Sequence, residues 1–454
     1  MKKFITLATL VLIKFNLLAA DEFYHHYPSS SIPPNFKEAA LAIPADKSAI
    51  RDISVLIYPH DLKNDWRHGK PDDTTKFSIL SDSIKKLTDA NGRELTFTNA
   101  TLYKQKSTIL VIKNDGAKAY LQPPIQFSVT EAVKIERFGN EDKSNSYVGS
   151  FKIGLNEKGL YLVNTVDIET YLLGVVPSES VSTWPIEALK AQALAARSYA
   201  LYHLINSRNN GKDWDVDDTA RYQVYTGVSH RKPSTDRAVK ETDSEVITYN
   251  DKVIVAFFHA FSGGWTDKAS VIFEMSTVPY CDVSREVFSN EELKDNLPQR
   301  NHWIVEWKKD WSKKDVLTKL KKHKDLKAKF SKFDETQPFE FSVLDRNPNY
   351  NSARTIQITQ GDNSETMYFK KMRGALGWSN FNSYHYFIEN ETQDSVQFRG
   401  FGWGHHIGLS QWGAFMMSKY YNYNYRDIIK HYYHNTRILK TAPLTWGSAQ
   451  PNNL

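Results

Sequence analysis

The chain has 454 residues, 41% of them hydrophobic, with one cysteine and a formal net charge of +6. That length holds one large domain or two to three ordinary ones, and 11 Trp, 24 Tyr and 24 Phe exclude a low-complexity chain that never packs. Removing the first twenty residues takes away Lys2, Lys3 and Lys14 and leaves +3; residues 301–333, with 11 Lys against Glu306, Asp310, Asp315 and Asp325, more than supply it, so the rest is slightly acidic and no nucleic-acid partner is expected.

Met1-Lys2-Lys3 and the apolar run Phe4–Ile13 read as a signal peptide over residues 1–20, with Ala19-Ala20 offering small residues for cleavage. Lys14 ends the run well short of the ~20 residues that span a bilayer, so the mature chain is expected to be exported, to the periplasm or cell envelope, without a transmembrane anchor. No cysteine follows for a lipid anchor, and Cys281 alone permits no intrachain disulfide. Residues 21–50, opening on Ser29-Ser30-Ser31-Ile32-Pro33-Pro34, read as a tether. A β-rich part spans 51–150, and a mixed core follows over 151–440, with an insertion at about 285–340 and a tail at 441–454. Strands are predicted at 54–58, 94–97, 108–112, 147–153 and 159–163, then again at 354–359 and 366–369. A helix is predicted from Pro185 to about Leu204, a lysine-rich amphipathic helix over Lys308–Phe333, and a last helix over Tyr425–Tyr433. Runs of strands with interspersed helices make the fold class α+β.

Three segments carry candidate chemistry. In Tyr171–Glu179, Glu179 stands in an apolar neighbourhood ahead of the Pro185 helix. Desolvation favours its neutral form and a helix N-terminus favours its carboxylate, and the sequence leaves the outcome open. Gln192, Arg197 and Tyr199 lie in the helix behind it. Phe257–Thr266 reads as a strand entering a tight turn, in which Gly263 and Gly264 allow a backbone or ligand to approach and His259 is either a groove residue or a buried, hydrogen-bonded one. Gly400–Ala414 fits neither a dinucleotide loop nor a Walker loop, and Trp412 breaks the serine-elbow pattern around Ser410. His405-His406, and His431 with His434, invite a metal reading, yet no HExxH occurs. Trp184, Trp265, Trp403, Trp412, Tyr420, Tyr421 and Tyr423 suit either a carbohydrate groove or the core.

In this order, these blocks resemble the SpoIID/LytB family. Val166–Glu179 is similar to its glutamate motif and Glu187–Ala200 to its helix motif. Gln223-Val224-Tyr225-Thr226-Gly227, His259–Thr266, the approach at Arg373, Leu376-Gly377 and Ser383, and Gly402–Ala414 with His431-Tyr432-Tyr433 resemble later blocks. The likeness covers roughly residues 50–440, so the core at 151–440 is expected to be SpoIID-like.

The resemblance implies a lytic transglycosylase acting on peptidoglycan glycan strands, in the sporulation branch on strands stripped of stem peptides. Glu179 would be the acid/base, and Arg197 would orient or charge-balance it. Gln192, Tyr199, His259, Ser262, Gly263, Gly264, His405, Ser410 and Gln411 would line the substrate groove. One carboxylate suffices because the sugar supplies its own nucleophile. Ser180-Val181 stand where the family has a Met-Pro-like pair, and His406 where a glycine is common. Some relatives carry a histidine and cysteines for zinc before the Gln223 block; here Arg221-Tyr222 stand there, so no metal or cofactor is expected. The enhancer branch implies an alternative, a non-catalytic peptidoglycan-binding activator of a cell-wall amidase. A hydrolase using water is a third reading, with reducing product ends.

Overall fold

The computed structural model describes residues 39–45, 50–58, 76–136, 144–156, 159–273, 278–377 and 380–441. The signal-peptide segment and residues 442–454 of the tail lie outside them. The described residues form two compact units. The first takes those of Lys37–Ala256, Asn424–Ile429 and Asn435–Leu454, and the second those of Phe257–Tyr423 and Lys430–His434. Helices and strands occur together in both, so the α+β class holds.

The first unit is built on an eleven-stranded sheet. Its central strands, Asp52–Tyr58, Leu160–Asp167, Asn145–Leu155 and Ile125–Glu136, pair antiparallel, and Val216–Asp217 adds a parallel edge. Alternation explains the N-terminal strands: in Lys76–Leu80, Phe77 and Ile79 are buried, and in Thr108–Lys113, Ile109 and Val111 are. Leu160–Asp167 is buried on both faces at Leu162, Val163 and Asn164, and there period two fades into a continuous apolar run. The division expected at 150/151 falls inside Asn145–Leu155, because one sheet runs through both sides of it. A second sheet pairs Ala40–Ala42, Lys252–Ile254, Glu245–Tyr249 and Arg437–Lys440, so part of the expected tether is a sheet strand.

Three helices pack together in this unit: α1 (Ile168–Glu179), α2 (Ile186–Asn209) and α3 (Pro233–Glu241). Asp167 caps α1 by accepting the Thr170 N–H at 3.0 Å. Every α1 residue except Thr170 is buried, so no amphipathic stripe marks it, and Gly174 and Pro177 argue locally against a helix. Helix α2 follows the expected Pro185 start, its small side chains at Ala188, Ala191, Ala195 and Ala196 allowing close packing. Gly174 meets the chain at Gly227: a Cβ on Gly174 would lie 2.2 Å from the Gly227 carbonyl oxygen, and Gly227 itself has φ of +60°.

The second unit contains the sheets Glu306–Ser312/Ser395–Phe401/His385–Glu391 and Glu340–Arg346/Ala353–Gln360/Asn363–Tyr368. The lysine-rich segment departs from the expected single helix. Its first residues form the strand Glu306–Ser312, where Trp307 and Trp311 suit a pleated surface. Ser312 then accepts the Asp315 N–H at 3.0 Å and starts a helix over Lys313–Lys322, followed by a short turn at Lys329–Lys332. The apolar side read from Val316, Leu320, Leu326 and Phe330 is buried. Because Glu306–Ser312 pairs along the whole of Ser395–Phe401, the segment is woven into the unit.

The contact between Gly174 and Gly227 generates a test. Gly174→Ala forces a methyl into the Gly227 carbonyl and is expected to cost about 1–3 kcal/mol, read from urea denaturation, although alanine is the better helix former.

Candidate functional site

In the first unit, Glu179 is the last residue of α1, so it ends a helix as well as preceding one. Its side chain is 5% exposed, and its Oε1 accepts the Val224 N–H at 2.7 Å. The segment after α2 is fastened along α1. Tyr171 donates its hydroxyl to Gln223 Oε1 at 3.3 Å, Ser178 Oγ and Thr226 Oγ1 lie 2.9 Å apart, and the Tyr171 and Tyr225 rings pack at 4.9 Å. Burial, then neighbouring groups that include Glu179 and Asp217, pushes the Tyr171 and Tyr199 phenols well above their ordinary range. Both hydroxyls therefore stay protonated beside the carboxyl group.

Gln192, Ala196, Tyr199 and His203 follow at helical spacing and share one stripe of α2, which faces Gln223 through its Nε2 donation to the Ala196 carbonyl at 3.3 Å. Tyr199, His203 and Tyr222 continue it as a run of tilted and edge-to-face rings, with centroids 4.3 and 4.9 Å apart. Burial takes His203 down to about 3, so it is a neutral core group. The structure thus brings Glu179, Tyr199 and, on the same stripe, Gln192 to one neighbourhood.

Arg197 is placed elsewhere. It lies roughly 130° around the α2 axis from that stripe. Its Nε and Nη2 each bond the Glu169 carboxylate at 2.7 Å, while Nη1 reaches Thr242 and the Glu245 carbonyl at 3.3 Å and Nη2 also reaches the Val239 carbonyl at 3.1 Å. Glu169 and Glu179 sit at opposite ends of α1, ten residues or about 15 Å apart along the axis. The expected charge balance between Arg197 and Glu179 is therefore corrected: Arg197 holds Glu169 and joins α1, α2 and the segment after α3.

In the second unit the strand Phe258–His259 pairs with Leu409–Ser410, and Phe261 bridges to Trp403. This zips the two glycine-rich segments together and gathers His259, Ser262, Gly263, Gly264, His405, Ser410 and Gln411. The glycines serve a backbone crossing: a Cβ on Gly263 would lie 2.7 Å from the Phe401 carbonyl carbon, and one on Gly402 2.6 Å from the Gly263 nitrogen. Ser262 and Ser410, expected to line a groove, are fully buried. Ser262 donates to Glu286 Oε1 at 2.5 Å, Tyr432 donates to Glu286 Oε2 at 2.6 Å, and Ser410 bonds the same carboxyl group. Burial raises Glu286 above the usual carboxylate range, and these hydroxyl donors oppose it. Trp184, Trp403 and Trp412 are buried and belong to the core, whereas Tyr420 is exposed.

His259, His385, His405 and His406 form a buried cluster, with ring centroids of 5.4 Å for His259–His405, 5.6 Å for His259–His406 and 3.9 Å for His385–His406. His259 Nδ1 meets the Ile407 carbonyl at 3.2 Å, and His405 Nδ1 accepts the Ile407 N–H at 3.0 Å. His406 occupies the left-handed region at φ +61°, where a glycine is easier to place. Among the described residues, no group of three or more His, Cys, Asp or Glu has an arrangement that holds a metal ion.

Sequence reasoning missed Gln223 as a clamp, Asp217 beside the tyrosines, and Glu286. Gln223 and Tyr171 lay inside quoted motifs, and the i, i+4, i+7 spacing from Gln192 already separates Arg197 from Tyr199. Glu286 carried no local signal.

The family model described as Stage II sporulation protein, SpoIID, matches residues 156–249, which contain Glu179, α1, α2 and the Gln223 segment. An uncharacterized protein of Brachyspira hyodysenteriae is 31% identical over 309 residues, covering 66% of this chain and 76% of its own. The Stage II sporulation protein D of Bacillus subtilis is 28% identical over 293 residues, 61% of this chain and 75% of its own. The amidase enhancer of the same organism is 27% identical over 306 residues, 59% of this chain but 40% of its own.

Two outcomes follow from the buried ionisable groups. Arg197→Met leaves Glu169 buried without its partner and is expected to destabilise the protein by about 3–5 kcal/mol, read from urea denaturation. Burial lowers the four clustered histidines below their ordinary 6.5, His259 to about 3. The unfolded chain then binds more protons below pH 6.5, so stability is full above that pH and falls on acidification, by about 1.4 kcal/mol per pH unit for each histidine. Urea midpoints between pH 7.5 and 5 should show a steep loss, shallower in His406→Asn, which tolerates the left-handed backbone.

Proposed function

The chain belongs to the SpoIID/LytB family, and on that premise we propose that it is an exported peptidoglycan lytic transglycosylase. Its relatives support a SpoIID-type role at the cell wall. No helix among the described residues is long and apolar enough to cross a membrane. The observation that carries the catalytic reading is Glu179: a buried carboxyl group anchored through Oε1 by the Val224 N–H and set beside the protonated hydroxyls of Tyr171 and Tyr199.

In this reading the neutral Glu179 donates its proton to the glycosidic oxygen between N-acetylmuramic acid and N-acetylglucosamine as the C1–O bond breaks. The resulting carboxylate takes the proton of the muramoyl C6 hydroxyl, whose oxygen bonds to C1 and closes a 1,6-anhydro ring. Glu179 ends the cycle protonated, no water is consumed, and no cofactor is required. Arg197 contributes by holding Glu169 and so the seating of α1, without touching the reacting atoms. Of the groove residues expected in the second unit, Gly263 and Gly264 are half-buried, whereas His259, His405 and Gln411 are buried.

A second reading rests on the likeness to the amidase enhancer: a peptidoglycan-binding protein that activates an amidase without cleaving the strand. Mass spectrometry of products from intact and amidase-denuded peptidoglycan separates the two. Anhydromuramoyl ends formed by the wild type, and slowed about 10²–10⁴-fold in Glu179→Gln, are the expected result. Strand binding without cleavage by the wild type would establish the enhancer reading instead, and reducing ends would indicate attack by water.

A further inference from the structure

We propose that Gln223 is the positioning residue of Glu179, acting through the backbone N–H of Val224. The inference rests on Glu179 being the acid/base, and it assigns a role to a side chain that lies on neither helix bearing the catalytic motif.

Gln223 is 1% exposed, and its amide spans α1 and α2. Its Oε1 accepts the Tyr171 hydroxyl from α1, and its Nε2 donates to the Ala196 carbonyl of α2, both at 3.3 Å. The Ala196 carbonyl can only accept, so it requires the NH2 side of the amide, and the orientation of Gln223 follows from its partners. With that side chain fixed, the next peptide N–H meets Glu179 Oε1 at 2.7 Å. The segment is pinned beyond it as well, by the Tyr225 N–H to the Asp218 carbonyl at 3.2 Å and the Tyr225 hydroxyl to Asn164 Oδ1 at 3.0 Å.

The chemical consequence is an asymmetric carboxyl group. The carbonyl oxygen of a carboxylic acid is its better acceptor, so the Val224 N–H on Oε1 favours the form of neutral Glu179 whose hydrogen sits on Oε2. Oε1 is the anchor and Oε2 the oxygen that gives and later takes the proton. The same N–H stabilises the carboxylate formed after the first transfer. Gln223 thereby sets which oxygen reacts and how readily it releases its proton. A clamp that only supported the fold would do neither.

The test compares wild type with Gln223→Leu, which removes both amide bonds at similar volume, and with Tyr171→Phe, which removes only the hydroxyl donor and keeps the ring packing. Loosening the Val224 N–H weakens the carboxylate form, so the proton on Glu179 is held to higher pH. The alkaline limb of kcat/KM is expected to move up by about 0.5–1 pH unit in Gln223→Leu and by less in Tyr171→Phe. Carboxyl ¹³C titration of protein labelled at glutamate Cδ, with the Glu179 resonance identified by its loss in Glu179→Gln, should show the same upward shift without any turnover. Lower activity at every pH with an unmoved limb and an unmoved resonance would overturn the proposal and leave Gln223 a fold residue. If the wild type does not cleave glycan strands, the transglycosylase reading fails while the resonance still decides whether Gln223 governs Glu179.

Discussion

The ion pair between Arg197 and Glu169 is the constraint on which the first unit depends. Both side chains are completely buried, and a buried charge is tolerated only when its partner and its remaining hydrogen bonds are in place. Arg197 meets that demand with Glu169 of α1, Thr242 and the carbonyls of Val239 and Glu245. The pair therefore fixes the axial position and rotation of α1 against α2 and α3. Since Glu179 ends the same α1, a charge far from the carboxyl group decides where that carboxyl group stands.

The opposite end of α1 is held by finer means. Gly174 lets the helix approach the Gly227 carbonyl, and Gln223 ties α1 to α2 through neutral hydrogen bonds. Glu179 Oε1 is held by a peptide N–H, that of Val224. An amide donor biases a carboxylate less than a guanidinium would, which agrees with the acid/base role proposed for Glu179.

The second unit solves a similar problem with hydroxyl groups. Glu286 is buried and gathers Ser262, Ser410 and Tyr432, residues far apart in sequence, around one carboxyl group. Beside it, four neutral imidazoles fill the space between the two glycine-rich segments. Motif residues expected to line a groove, Ser262 and Ser410, are buried and give their hydroxyl hydrogen bonds to a carboxyl group that water cannot solvate there.

What the sequence determined by itself was local and periodic. Short β-rich runs marked strands at 108–112 and 354–359, Pro185 marked the start of α2, and the ordered blocks around Glu179, Gln223, His259 and Gly402 marked the family. What only the tertiary structure decided was partnership. Helix α1 was hidden because burial on every side erases the 3.6-residue stripe. The strand at Glu306–Ser312 was hidden because pairing with Ser395–Phe401 outweighs the helical pattern of the residues that follow. The partners of Arg197 and Glu286 lie 28 residues away at Glu169 and 146 away at Tyr432, and nothing in the local sequence carries that distance. A residue type states what a side chain can bond; only the packed chain states which of its possible partners is close enough, and dry enough, to be chosen.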